Sequence, residues 1–121
     1  MGLDTYAAHT PDDVELTEED IQAFVEANIS LCGGMLSGGG NDGSFRGKVY
    51  SMLILEITGE SLYDEWLPPE TVNKMYEILM ACDPEDSIAQ WDYGNSVADI
   101  LELRKFFRVC SERSLGLVGW S

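Results

Sequence analysis

The chain predicts an α+β fold: one mostly helical domain, with about four helices and a small sheet formed by its N- and C-terminal strands. Three observations predict it. The 121 residues are 45% hydrophobic, with three Trp, five Tyr and four Phe, which is enough to bury a core at single-domain length. Three long segments carry helix punctuation around an apolar period of 3.6. The two ends, Gly2-Leu3-Asp4-Thr5-Tyr6-Ala7-Ala8 and Leu115-Gly116-Leu117-Val118-Gly119-Trp120-Ser121, are short and strand-like.

The elements follow in order. After the first strand, His9-Thr10-Pro11-Asp12-Asp13 reads as a turn. Thr17 is placed to N-cap a helix whose first turn holds Glu18, Glu19 and Asp20, where the helix dipole favours acids. The spacing puts Ile21, Phe24, Val25 and Cys32 on its apolar face.

Residues 32–43 are a loop with six glycines, free either to wrap a ligand or to flex. Its continuation, Ser44-Phe45-Arg46-Gly47-Lys48-Val49, is not a phosphate loop: Asp42 stands where the first Gly belongs and Val49 where Ser or Thr belongs. Ser44 as an N-cap would leave Arg46 and Lys48 beside a helix N-terminus, a modest anion site. Residues 45–58 are apolar nearly all round when wound as a helix, which predicts a central buried helix ended by Gly59, with a core strand as the alternative. Glu56 falls on the Phe45, Val49 and Met52 face and is expected to be a partly buried, paired carboxylate.

An aromatic connector with Tyr63 and Trp66 leads to Pro68-Pro69-Glu70, which opens a helix with Val72, Met75, Tyr76 and Leu79 inside and Lys74, Glu77 and Ala81 outside. Cys82-Asp83-Pro84 ends it. Ser96, with Asp99 three residues on, starts a last long helix to about Ser114. Ile100, Leu103, Phe107 and Cys110 share its buried face, with Phe106 on the flank; Arg108 and Glu112 form an i,i+4 pair on the other side.

The formal charge is −15, from 22 acids against 7 bases, and it is lopsided. Residues 1–45 hold nine acids and no Lys or Arg, whereas four bases outnumber two acids from residue 101 onward. Such a balance opposes direct contact with nucleic acid or an anionic membrane. Two readings of the asymmetry stand: the basic last helix neutralises its own chain, or the acidic third faces a basic partner.

The start carries no basic region before an apolar run, and three unpaired, widely spaced cysteines, Cys32, Cys82 and Cys110, read as reduced thiols, so a cytoplasmic setting is expected. Those thiols are expected to be small buried hydrophobes rather than zinc ligands, and no motif calls for a cofactor or metal. His9 is the single imidazole of the chain, and it sits in a turn, so no catalytic residue is assigned and the chain is expected not to be an enzyme.

The segments Met1-Gly2-Leu3-Asp4-Thr5-Tyr6-Ala7, Ser44-Phe45-Arg46-Gly47-Lys48-Val49-Tyr50, Ser61-Leu62-Tyr63-Asp64-Glu65-Trp66-Leu67-Pro68-Pro69-Glu70 and the stretch from Leu103 to Trp120 resemble a small family of bacterial cytosolic proteins without an established activity. The resemblance covers most of the chain and brings no catalytic residue. The helix-then-strand ending is also similar to that of some small proteins near bacterial toxin and immunity loci.

The function expected is non-enzymatic protein binding of an immunity, inhibitor or adaptor kind, with Tyr63, Trp66, Trp91 and Trp120 as aromatic anchors and a basic protein as partner. A homodimer through the last helix or the terminal strand is a second form of it. The alternative class is a small-ligand or anion binder using the Gly-rich loop with Arg46 and Lys48.

Overall fold

A five-residue strand near each end of the chain sets the architecture. The computed structural model describes residues 3–13, 15–33, 38–91 and 93–120, apart from the side chain of Trp120. Its elements run β1 (Asp4–Ala8), α1 (Glu18–Ala27), β2 (Ser44–Phe45), α2 (Gly47–Thr58), β3 (Trp66–Leu67), α3 (Pro69–Ala81), α4 (Pro84–Gln90), α5 (Val97–Arg113) and β4 (Gly116–Trp120). This is the expected α+β fold, with five helices rather than about four.

The two terminal strands do pair, antiparallel, from Asp4 opposite Trp120 to Ala8 opposite Gly116. The sheet has the order β2-β1-β4-β3, so β4 is an interior strand. Its glycines explain how it fits there. A side chain on Gly119 would lie 2.5 Å from the Leu62 carbonyl oxygen, and one on Gly116 would strike the Leu67 carbonyl and the Trp66 ring. Both edge strands are only two residues long, which leaves little ladder for another chain to extend. The terminal strand named as one dimer surface is therefore no edge of the sheet, since β1 pairs along one side of it and β3 along part of the other.

The helices close over the sheet around α5, which packs along α3 and α1. Phe106 stands at the centre of the core: its ring centroid lies 5.0 Å from Phe24 and 4.8 Å from Phe45, with Phe107 at 6.2 Å. It is fully buried, not the flanking residue its helical position predicts, because α1 and β2 close over that flank. Val72, Met75 and Leu79 form the inner face of α3 as expected. The fifth helix, α4, is N-capped by the Asp83 carboxylate, which accepts from the backbone N–H groups of Glu85 and Asp86, with Pro84 following the cap.

Two expectations about faces are corrected. In α1 the buried residues are Asp20 and Phe24, and Ile21 and Val25 point outward. In α2 the inner face is Tyr50, Ser51, Leu53 and Ile54, whereas Val49, Met52, Leu55 and Glu56 are exposed. The helix is therefore not buried all round, and Glu56 is no buried carboxylate; it accepts only a long 3.4 Å bond from the Tyr93 hydroxyl. Ser44 belongs to β2, and Arg46 occupies the N-cap position of α2 without a side-chain cap bond. Gly59, in the left-handed region, does end the helix.

Candidate functional site

The N-terminus of α1 is organised by one buried carboxylate. Thr17 and Asp20 form a capping box, the Thr17 hydroxyl accepting from the Asp20 N–H at 3.1 Å and Asp20 Oδ2 accepting from the Thr17 N–H at 3.1 Å. The same carboxylate accepts from His9 Nε2 at 2.7 Å and from Arg113 Nε at 2.5 Å. Burial alone would raise its pKa, but the bonds from Arg113, His9 and Thr17 outweigh it and hold Asp20 far below the usual carboxylate range. One side chain thus fastens α1 to the turn after β1 and to the end of α5.

Every base of α5 is committed within the chain. Arg104 donates from Nε to the Leu79 carbonyl and from Nη2 to the Cys82 carbonyl, both at 2.8 Å, closing the C-terminus of α3. Lys105 bonds the Asn28 carbonyl at the end of α1 and pairs with Glu102 at 2.9 Å. Arg108 pairs with Glu112 at 2.7 Å, as its spacing predicts, and Arg113 with Asp20. Each base of α5 thus has a partner within the chain, although Arg108 stays exposed and Lys105 is only half-buried. Of the nine acids in residues 1–45, Asp20 is the buried one, while Asp12, Asp13, Glu15, Glu18, Glu19 and Glu26 face solvent.

What these arrangements leave on the surface is the outer side of α1. Ile21 and Val25, one turn apart, are 40% and 50% exposed. Glu18, Gln22 and Glu26 flank them, and Glu18, Glu19, Gln22, Ala23, Glu26 and Arg113 line a shallow depression beside them. It adjoins a cleft of about 610 Å³ between α1 and α5. Ala23, Ala27 and Val109 give that cleft small apolar walls, while Glu26 and Glu112 with Lys105, Arg108 and Arg113 put both signs of charge on its rim. A small floor with a charged rim suits a side chain or helical edge of another protein better than an enclosed small molecule.

The residues singled out from sequence do not form one site. Arg46 is half-buried and Lys48 exposed at the start of α2, and neither takes part in the four ion pairs among the described residues. Tyr63 is exposed, Trp66 lies half-buried over Gly116, Trp91 is half-buried after α4, and the side chain of Trp120 lies outside the described residues. The middle of the Gly-rich loop, residues 34–37, also lies outside them. Its ends are pinned: Cys32 N–H donates to the Tyr50 hydroxyl at 2.7 Å, Leu31 N–H to the Gly39 carbonyl at 2.8 Å and Ile29 N–H to Asn41 Oδ1 at 2.9 Å. Of the three cysteines, Cys110 alone is fully buried, burial pushing its thiol pKa far up; Cys32 is exposed and Cys82 half-buried, contrary to the expectation for all three.

No helix among the described residues is long and apolar enough to cross a membrane. The Ile21 and Val25 surface was absent from the sequence expectation, although its only signal, an apolar i,i+4 pair among acids, was in plain view. Comparison with family models, with curated proteins and with solved structures returned no match, so the outer face of α1 stands as a candidate site on its geometry alone.

Proposed function

We propose that the protein is a non-enzymatic, cytoplasmic protein-binding module, immunity-, inhibitor- or adaptor-like, whose partner is a basic protein docking on the outer face of α1. The observation that carries this reading is the exposed Ile21 and Val25 pair, with Glu18, Gln22 and Glu26 along one side of it on α1. An apolar anchor supplies affinity on desolvation, and carboxylates around it steer and orient a cationic partner. That Glu18, Glu19 and Glu26 take part in none of the ion pairs among the described residues, Arg113 being engaged by Asp20, supports it further.

The test is an affinity pull-down from bacterial lysate at low and high salt, with the wild-type chain and with the double variant Ile21→Ser/Val25→Ser as bait. The expected result is a basic protein captured by the wild type, lost at high salt and not captured by the variant. Capture insensitive to both changes, or no specific capture, would overturn the reading.

A further inference from the structure

A second surface, separate from α1, is complementary to itself. From Gly43 to Leu55 the chain has no carboxylate, in a protein of net charge −15. Along α2, which carries most of that stretch and the Glu56 that ends it, Lys48, Val49, Met52, Leu55 and Glu56 turn to solvent, Met52 being 47% exposed and Val49 and Leu55 39% each. At 100° per residue these five positions form one stripe about 120° wide, centred on Met52.

The order of residues along the stripe is symmetric about that centre. Val49 and Leu55 lie three residues to either side of Met52, and Lys48 and Glu56 four to either side. We propose that α2 is a self-association surface on which two copies of the chain pair antiparallel about a two-fold axis through Met52. Antiparallel pairing places Met52 against the partner's Met52, Val49 against the partner's Leu55, and Lys48 against the partner's Glu56, twice over by symmetry. Lys48 and Glu56, about 12 Å apart along the axis, belong to none of the ion pairs within one chain. Charge complementarity therefore selects a second copy as occupant, and the antiparallel direction over the parallel one, which would set Lys48 on Lys48 and Glu56 on Glu56.

The surrounding structure agrees with this geometry. The exposed Tyr93 ring is held at Glu56 by its hydroxyl and adds apolar area at that end of the stripe. Asn95 donates to the Val49 carbonyl at 3.1 Å, fixing the backbone at the other end. A contact built on one twelve-residue helix is small beside a standard interface, so the dimer is weak and concentration-dependent.

Sedimentation velocity of the full chain across a wide concentration range, at low salt, tests the proposal. The wild type is expected to shift from monomer to dimer. Lys48→Glu and Glu56→Lys, each alone, should weaken self-association about tenfold or more, by turning two attractive pairs into repulsive ones. Mixed together, the two single variants should form a heterodimer, because each 48–56 contact then joins opposite charges; the double variant Lys48→Glu/Glu56→Lys should dimerise like the wild type. Both positions are exposed, and circular dichroism checks that the fold is kept. A wild type that stays monomeric throughout, or single variants that associate like it, or a mixture that does not associate, would each overturn the proposal.

Discussion

Asp20 and Arg113 stand 93 positions apart and meet in an ion pair, Arg113 Nε donating to Asp20 Oδ1 at 2.5 Å. The carboxylate is almost wholly buried, while the guanidinium is about one-third exposed. An amide in its place loses the charge and one acceptor oxygen and sets an N–H donor against the other donors, so either the Arg113 pair or the capping box is broken. Asp20→Asn is expected to lower unfolding free energy by about 3 kcal/mol at neutral pH, measured by urea denaturation. The acid side follows from linkage. Because the folded-state pKa of Asp20 lies below the unfolded one, its stabilisation is complete above about pH 4 and fades as pH falls further. The gap between wild type and Asp20→Asn should therefore narrow on acidification; a gap that stays constant would contradict the assignment.

Arg104 ends α3 by holding two of its terminal carbonyls, a task that needs the forked geometry of a guanidinium. Arg104→Ala should destabilise by about 1–2 kcal/mol. Arg104→Lys keeps the charge but reaches only one carbonyl, so it should recover less than half of that loss in the same denaturation measurement.

Gly47 opens α2 against β1 so closely that a methyl group there would collide with Thr5 Oγ1, and Leu3 stands 3.1 Å from the same point. Gly47→Ala should therefore cost about 1–3 kcal/mol, despite Ala being the better helix former. The Thr5 hydroxyl is itself buried and has no hydrogen-bond partner among the described residues. Thr5→Val, which keeps the shape and removes the hydroxyl, should be neutral or raise the melting temperature by a few degrees.

Tyr50 is buried, and its hydroxyl accepts from the Cys32 N–H where the Gly-rich loop begins. Tyr50→Phe leaves that N–H without its partner and should cost about 1 kcal/mol. Amide hydrogen exchange should show faster exchange at Cys32 than in the wild type, with α3 and α5 unchanged.

Much of this fold is legible in the sequence wherever the deciding signal is local. Thr17 and Asp20 declare the start of α1, Pro69 and Glu70 that of α3, and Gly59 the end of α2, because each acts on backbone groups within a turn of itself. The α4 start was legible too, in Asp83-Pro84, although the helix is only seven residues long. Failures come where distant residues decide. Hydrophobicity turns Asp20 outward and Ile21 and Val25 inward; the structure does the reverse, because His9 and Arg113 meet the carboxylate from 11 and 93 positions away. The α2 stripe was misjudged in the opposite sense, since an apolar composition does not tell which of Val49, Tyr50, Met52 and Leu53 another element covers. Of the candidate site residues, Lys48 alone falls on a surface for which the geometry argues a use, and the α1 surface emerges only once Asp20 has set that helix's rotation.

The interior position of β4 carries a consequence for the birth of the molecule. The strand that joins β1 to β3 is the last to leave the ribosome, and no other described strand bridges them. During synthesis β1 can meet the two residues of β2 early, but the partner that covers its whole length lies more than a hundred residues downstream, in residues 116–120. Helices can form early because their hydrogen bonds are local, whereas closure of the sheet is non-local and waits for β4. The acids of residues 1–45 that face solvent in the fold repel one another in the nascent chain as well, which opposes its aggregation while β1 lacks β4.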